Sequence, residues 1–184
     1  MIDESINLLK GKLDTYLRLK MSANTSDKVA FVSEKNDALV LTDKAINIAL
    51  LNVHEESLVR INSFQETPPG QQPNIGINLD IFFIAAAKDN YREALQLLSH
   101  TVQFFKDNKV FDHENSPTLH KDIWRLIMEL QSFDISNTRE AWQVKNYVKN
   151  KPAVFYRVKL LIFTQSEPAL SVKTTETSNN LQEI

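Results

Sequence analysis

The stretch Ile75–Ala87, reading IGINLDIFFIAAA, limits the fold more than any other part of the chain. Ile77, Leu79, Ile81 and Phe83 recur at every second position, which places them on one face of an extended strand. Phe82, Ile84 and Ala86 fill the opposite face. A strand that is apolar on both faces toward its end has to be covered on both there, so this segment is expected to be a central strand of a sheet.

The flanking segments supply the rest of the architecture. Ile2–Lys20 reads as an amphipathic helix, with Ile2, Ile6, Leu9, Leu13 and Tyr16 on one stripe. Asp3 and Glu4 in its first turn and Arg18 and Lys20 in its last complement the helix dipole. Gly11 in its middle costs about 1 kcal/mol relative to alanine. After the polar stretch Ser22–Asp27, short strands are expected over Lys28–Ser33 and Leu39–Leu41, with a turn over Glu34–Asp37. A longer strand follows from Ala45 to about Ile61. In it Ile46, Ile48 and Leu50 share one face while Leu51 and Val53 fall on the other, which predicts a bulge or bend midway. Asn62–Asn74 holds three of the six prolines and reads as an exposed loop, with Pro69-Gly70 its strongest turn signal.

Asn90–Asp107 carries the clearest helical period, with Asn90 or Asp89 as cap and Tyr91, Leu95, Leu98, Val102 and Phe105 as its stripe. Asn108–Asp122 reads as a polar loop, Ile123–Phe133 as a strand, and Ser136–Val148 as a second short helix offering Ala141, Trp142, Val144 and Tyr147 for burial. Pro152 introduces the strand Ala153–Phe163, whose Val154, Tyr156, Val158, Leu160 and Ile162 share a face. Thr164–Ile184 has no aromatic residue and is rich in Ser, Thr, Glu, Gln and Asn, so it is expected to be a polar tail or a partner-dependent arm. With 184 residues, this order predicts one α+β domain over residues 1–163, a mixed or antiparallel sheet packed with two to three helices.

The composition excludes whole classes of chemistry. Lys and Arg number 21 against 23 Asp and Glu, a net charge of −2, which argues against a nucleic-acid binder. With no cysteine there is no disulfide scaffold, thiol catalysis, thiolate zinc site or iron–sulfur cluster. The three glycines, Gly11, Gly70 and Gly76, are too dispersed to build a phosphate-cradling loop. No apolar run is long enough to span a membrane, and no signal peptide is visible. Asp112, His113, Glu114, His120 and Asp122 cluster at spacings that match no metal motif and read as a solvated loop. Glu55 and Glu56 are adjacent on a strand and so point to opposite faces. His54, among apolar neighbours, is expected to be partly buried and hydrogen-bonded, and His100 to be exposed. Phe104, Phe105, Trp124 and Trp142 read as packing residues rather than a base-stacking platform. No enzyme signature and no cofactor site is expected.

Taken in order, MIDESINLLKGKLDTYLRLK, INIALLNVHEESLVR, INLDIFFIAAAKDNYREALQLLSHTVQFFKDNKVF and AVFYRVKLLIF resemble the tail-cap, or tail-terminator, family of contractile injection systems, phage-tail-like particles that include the antifeeding prophage. The block Leu79–Phe111 and the closing strand with Tyr156-Arg157-Val158 carry most of this likeness. The resemblance implies a structural role: a homohexameric ring on the distal end of inner tube and sheath that stops polymerisation and holds the extended sheath. It implies sheath and inner-tube proteins as partners, assembly in the cytoplasm into a particle that is released or retained, and no catalytic residues. Another ring or adaptor component, from baseplate or tube completion, is the alternative, and a small α+β enzyme a more distant one. Such a ring requires contact surfaces, and the expected ones are the proline-rich loop at Phe64, Pro68 and Pro69 and the arm 164–184 at Leu170 and Val172.

Overall fold

The computed structural model describes residues 1–21, 26–35, 38–57, 75–132, 148 and 151–162. Helix α1 (Ile2–Lys20) precedes β1 (Val29–Phe31), β2 (Ser33–Lys35), β3 (Ala38–Val40), β4 (Ala45–Ser57) and β5 (Ile75–Ala86). Helix α2 (Tyr91–Asp107) then leads to β6 (Val110–Asp112), β7 (Ile123–Gln131) and β8 (Ala153–Ile162). Six strands form one sheet in the order β1-β4-β5-β8-β7-β6, while β2 and β3 make a separate hairpin. Within the sheet β1 lies parallel to β4, and the other pairings are antiparallel. Helices α1 and α2 pack on one face, giving a single α+β domain with a mixed sheet.

β5 lies inside the sheet, between β4 and β8, and every residue from Asn78 to Ala86 is buried. Toward the helices, Leu79, Ile81 and Phe83 join Ile46 and Ile48 of β4 and Tyr156, Val158 and Leu160 of β8. Phe83, Phe105 and Tyr156 meet ring to ring, with centroids 5.0, 5.1 and 5.6 Å apart. On the opposite face Phe82 and Ile84 join Ala49, and Val32, Leu41, Ala153, Phe155 and Val148 pack around them. The bulge expected in β4 is present: the register against β5 shifts between Leu50 and Asn52.

Helix α1 ties the two edges of the sheet together. Leu9, Leu13 and Leu17 are fully buried on its inner face. The Asp14 carboxylate accepts from the backbone N–H groups of Lys28 and Val29, at 2.6 and 3.0 Å, and so holds the start of β1. Lys12 donates to the Asn115 carbonyl beyond β6, on the far edge. One helix touching both edges requires the sheet to curl around it. Helix α2 begins with a reciprocal cap, in which Asn90 accepts from the Glu93 N–H and donates to the Glu93 carboxylate.

Several expectations need correction. Ser33–Lys35 forms strand β2, so the turn expected over Glu34–Asp37 starts too early. The polar stretch after α2 contains β6, three residues long, too short to show a period. Helix α2 buries Ala94, Leu97, Thr101, Phe104 and Phe105, leaving Tyr91 64% and Leu95 42% exposed. The helix is thus rotated away from its most apolar stripe, because the small Ala94 and Thr101 let it lie close on the sheet where Leu95 could not. His100 is half-buried, edge-on to Tyr16 with centroids 6.5 Å apart, rather than simply exposed. Trp124 is half-buried with the Arg125 guanidinium over its ring at 4.4 Å. The helix expected over 136–148 lies outside the described residues except for Val148, which is helical; Trp142 and the tail 164–184 lie outside them too.

A Cβ added at Gly11 would meet nothing within 4 Å. Gly11→Ala is therefore expected to stabilise the chain by about 1 kcal/mol through helix propensity alone, read as a raised urea midpoint with an unchanged slope.

Candidate functional site

The face of the sheet turned away from the helices divides into two zones. Around Phe82 and Ile84 it is apolar and covered. Past the bulge it becomes charged, because Asn78 and Asp80 of β5 alternate with the core residues Leu79 and Ile81. The neighbouring strands answer in register: Asp80 stands between Asn52 of β4 and Arg157 of β8, and Asn78 between His54 and Lys159. Glu129 of β7 lies opposite Arg157.

These side chains form a connected network. Arg157 Nε donates to Asp80 Oδ1 at 3.0 Å, and His54 Nδ1 lies 3.7 Å from Asp80 Oδ2. Asn78 donates to Glu56 Oε2 at 3.0 Å and sits 3.2 Å from His54 Nε2. Lys159 Nζ lies 3.8 Å from Glu56 and 3.4 Å from Glu129. His54 is thus half-buried and hydrogen-bonded, as its apolar neighbours suggested. The Asn78 hydrogen bond, then the Lys159 charge, hold the Glu56 carboxyl below its ordinary value of 4.5. Each acid here faces a cation or an amide. The arrangement can hold strands in register and recognise a charged surface, and it offers no free base beside a nucleophile.

Two open clefts flank α2. One, of about 550 Å³, lies between the end of α2 and β7, with Val102, Val110, Ile127 and Leu130 on its walls and Lys106 and Lys109 at its rim. The Tyr156 hydroxyl in its lining is pushed up to about 12 by burial and stays protonated. The other, of about 600 Å³, runs between α1 and α2 along Leu8, Gly11, Thr15, Tyr16 and Leu19. Asp112 caps its own turn, accepting from the N–H groups of Glu114 and Asn115 at 3.1 Å each. Among the described residues no group of three or more His, Asp or Glu is placed to hold a metal ion. Among them, too, no helix is long and apolar enough to cross a membrane.

The expected contact residues Phe64, Pro68, Pro69, Leu170 and Val172 lie outside the described residues. The sequence reading missed the long edge of β4. β5 pairs along one side of β4 to its end, but on the other side β1 pairs only opposite Ile46–Ile48, so among the described residues no strand lies on that side of β4 from Leu50 to Ser57. Leu50, Leu51 and Val53 are exposed along it.

The sequence profile of the Pvc16 N-terminal domain matches residues 6–175. This chain belongs to the Pvc16 N-terminal domain family. The family match runs past the end of β8 at Ile162 and into the polar tail. Among solved structures, the fold matches the sheath/tube terminator of the extracellular contractile injection system PVC, seen in its extended state by cryo-EM. The TM-score is 0.53 at 15% identity, over 100% of this chain and 64% of that one. The present chain therefore spans just under two thirds of the terminator it matches. No curated protein matches its sequence. The resemblance read from the ordered segments is borne out at the level of family and fold.

Two outcomes follow from the charged zone. Arg157→Ala leaves Asp80 buried without its main partner and should cost about 2 kcal/mol, less than a fully buried pair because Arg157 is partly exposed. Adding Asp80→Asn should recover part of that loss in a double-mutant cycle. Because the Glu56 pKa is lowered on folding, its contribution is present above the unfolded value and disappears as pH falls through the folded one. The destabilisation by Glu56→Gln should therefore shrink in urea titrations taken below pH 4.5.

Proposed function

We propose that this chain is the tail terminator of a contractile injection system. It forms a sixfold ring on the distal end of inner tube and sheath, stops their polymerisation and holds the extended sheath. The observation that carries this reading is the match of the entire chain to the fold of a sheath/tube terminator, together with its family. The role is structural and requires no bond chemistry. Assembly takes place in the cytoplasm, and the ring then travels with the particle.

The physical features agree with such a part. A closed ring of identical subunits needs two different, complementary surfaces on each copy. The curled sheet supplies unlike edges: a long apolar one at β4, and a short one at β6 and β7 beside a cleft rimmed by lysines. A net charge of −2 lets copies approach one another with little repulsion. The loop around Phe64, Pro68 and Pro69 and the arm with Leu170 and Val172 provide the remaining contacts in this reading.

The test is the solution mass across a concentration series, with negative-stain images of any large species. Six copies should give a ring of about 127 kDa. If the protein is monomeric throughout, co-sedimentation with extended tails decides. Binding at the sheath end supports the terminator, binding at the baseplate end supports an adaptor, and binding to neither overturns both.

A further inference from the structure

We propose that the open edge of β4, Leu50–Glu56, is completed by residues 169–175 of the adjacent copy of this chain, added as an extra strand. The inference rests on the ring reading above and identifies its subunit contact.

An unpaired edge exposes a row of N–H and C=O groups, and soluble proteins blunt such edges with charge, proline or a covering element. Here the open stretch begins with Leu50, Leu51 and Val53, which are 39%, 39% and 43% exposed. Charge arrives only at its far end, in Glu55 and Glu56. An edge left this apolar is suited to strand addition, in which main-chain hydrogen bonds supply affinity and alternate side chains supply register.

The tail contains one segment with the matching pattern. In Ala169–Thr175, Leu170, Val172 and Thr174 alternate with Ser171, Lys173 and Thr175, and Pro168 stands just before it. The segment is seven residues long, the same length as Leu50–Glu56. Aligned centre to centre, Val172 meets Val53, so Leu170 and Val172 continue the apolar face. Lys173, the only cation after Phe163, then falls on the charged face with Glu56. The family match ends at residue 175, where this segment ends, so the segment is part of the domain as the family defines it.

Connectivity favours the neighbour over the same copy. Ile162 at the end of β8 pairs with Ile75, which pairs with Ser57 at the end of β4. The tail thus leaves the sheet about 10 Å, two strand spacings, from the open edge. Ser57, where the chain leaves the sheet, and Ile75, where it re-enters, both stand between those two points, so a tail returning to its own β4 would have to pass the chain at that end of the sheet. Connections avoid crossing at one end of a sheet. Residues 163–168 span up to about 20 Å, enough to step to an adjacent subunit.

The chain has no cysteine, so introduced thiols are unique. Full-length Val53→Cys and Val172→Cys proteins are mixed, oxidised gently and resolved without reductant, and the mass of the same mixture is measured. A disulfide-linked pair of the two variants, and a ladder of linked copies from the double variant, is the expected result. An internal disulfide in the double variant with no linkage between copies overturns the proposal in favour of self-completion. A ring-sized species with no such disulfide overturns it while leaving the terminator reading intact. A monomer with no disulfide, in solution and on tail ends, overturns both. As a second measure, amide exchange over Leu51–Glu56 should be slow in assembled wild type and lose that protection in full-length Val172→Pro, whereas unchanged exchange overturns the strand addition.

Discussion

The burial of β5 on both faces is the constraint from which the rest of this structure follows. A strand with Leu79, Ile81 and Phe83 on one side and Phe82 and Ile84 on the other cannot sit at an edge or face water. Two helices cover the first side, and Phe105 of α2 reaches the aromatic centre at Phe83 and Tyr156. The second side receives a smaller apolar cluster, and its remainder is filled by charge. Asp80 is buried there only because Arg157 and His54 stand on the strands to either side, within 3.0 and 3.7 Å. Removing water from a carboxylate without such partners would cost several kcal/mol, so the cross-strand pairs fix the register of β4, β5 and β8 as firmly as the apolar alternation does.

The same constraint explains the role of α1. With β5 in the middle, β1 and β6 become the edges, and each is only three residues long. Short strands contribute few ladder hydrogen bonds of their own. Asp14 compensates at β1 by accepting from two backbone N–H groups, and Lys12 reaches the chain beyond β6. Charge-assisted bonds to main chain of this kind are stronger than neutral ones. They let a helix with its Leu9-Leu13-Leu17 face in the core also set the curl of the sheet.

Most of the architecture was legible from periodicity. Ile2–Lys20, the central strand, the cap at Asn90, the closing strand and the bulge in β4 all appear where apolar spacing placed them, because each buries enough surface to impose its period. The pieces that were not legible are those in which packing depends on partners far away in sequence. The rotation of α2 away from Tyr91 and Leu95 is decided by the sheet beneath it, and β6 is too short to carry a pattern. In the candidate site, Asn78 and Asp80 interrupting an apolar strand were a visible sign that its outer face changes character. Their partners Arg157 and Lys159 alternate in the same way three strands later in the chain, but only the register joins them. The openness of the β4 edge could not be read at all. Nothing in AINIALLNVHEES says that β1 stops opposite Ile48.

In the ring reading, that early stop is what separates a finished domain from a part. Had β1 continued to pair with β4 to its end, Leu50, Leu51 and Val53 would lie inside the sheet and that edge would offer nothing to another chain. In the reading above, the fold leaves one side of β4 as an acceptor by ending β1 at Phe31, and sends the matching donor out from the end of β8. Donor and acceptor on different edges make a heterologous contact, which either closes into a ring or grows into an open filament. The curl imposed by α1 bears on that choice, since it sets the angle between the edge that accepts and the end that donates. A ring that consumes its edges laterally offers none of them along the tube axis, and that property is what a terminator needs if subunits are not to add beyond it.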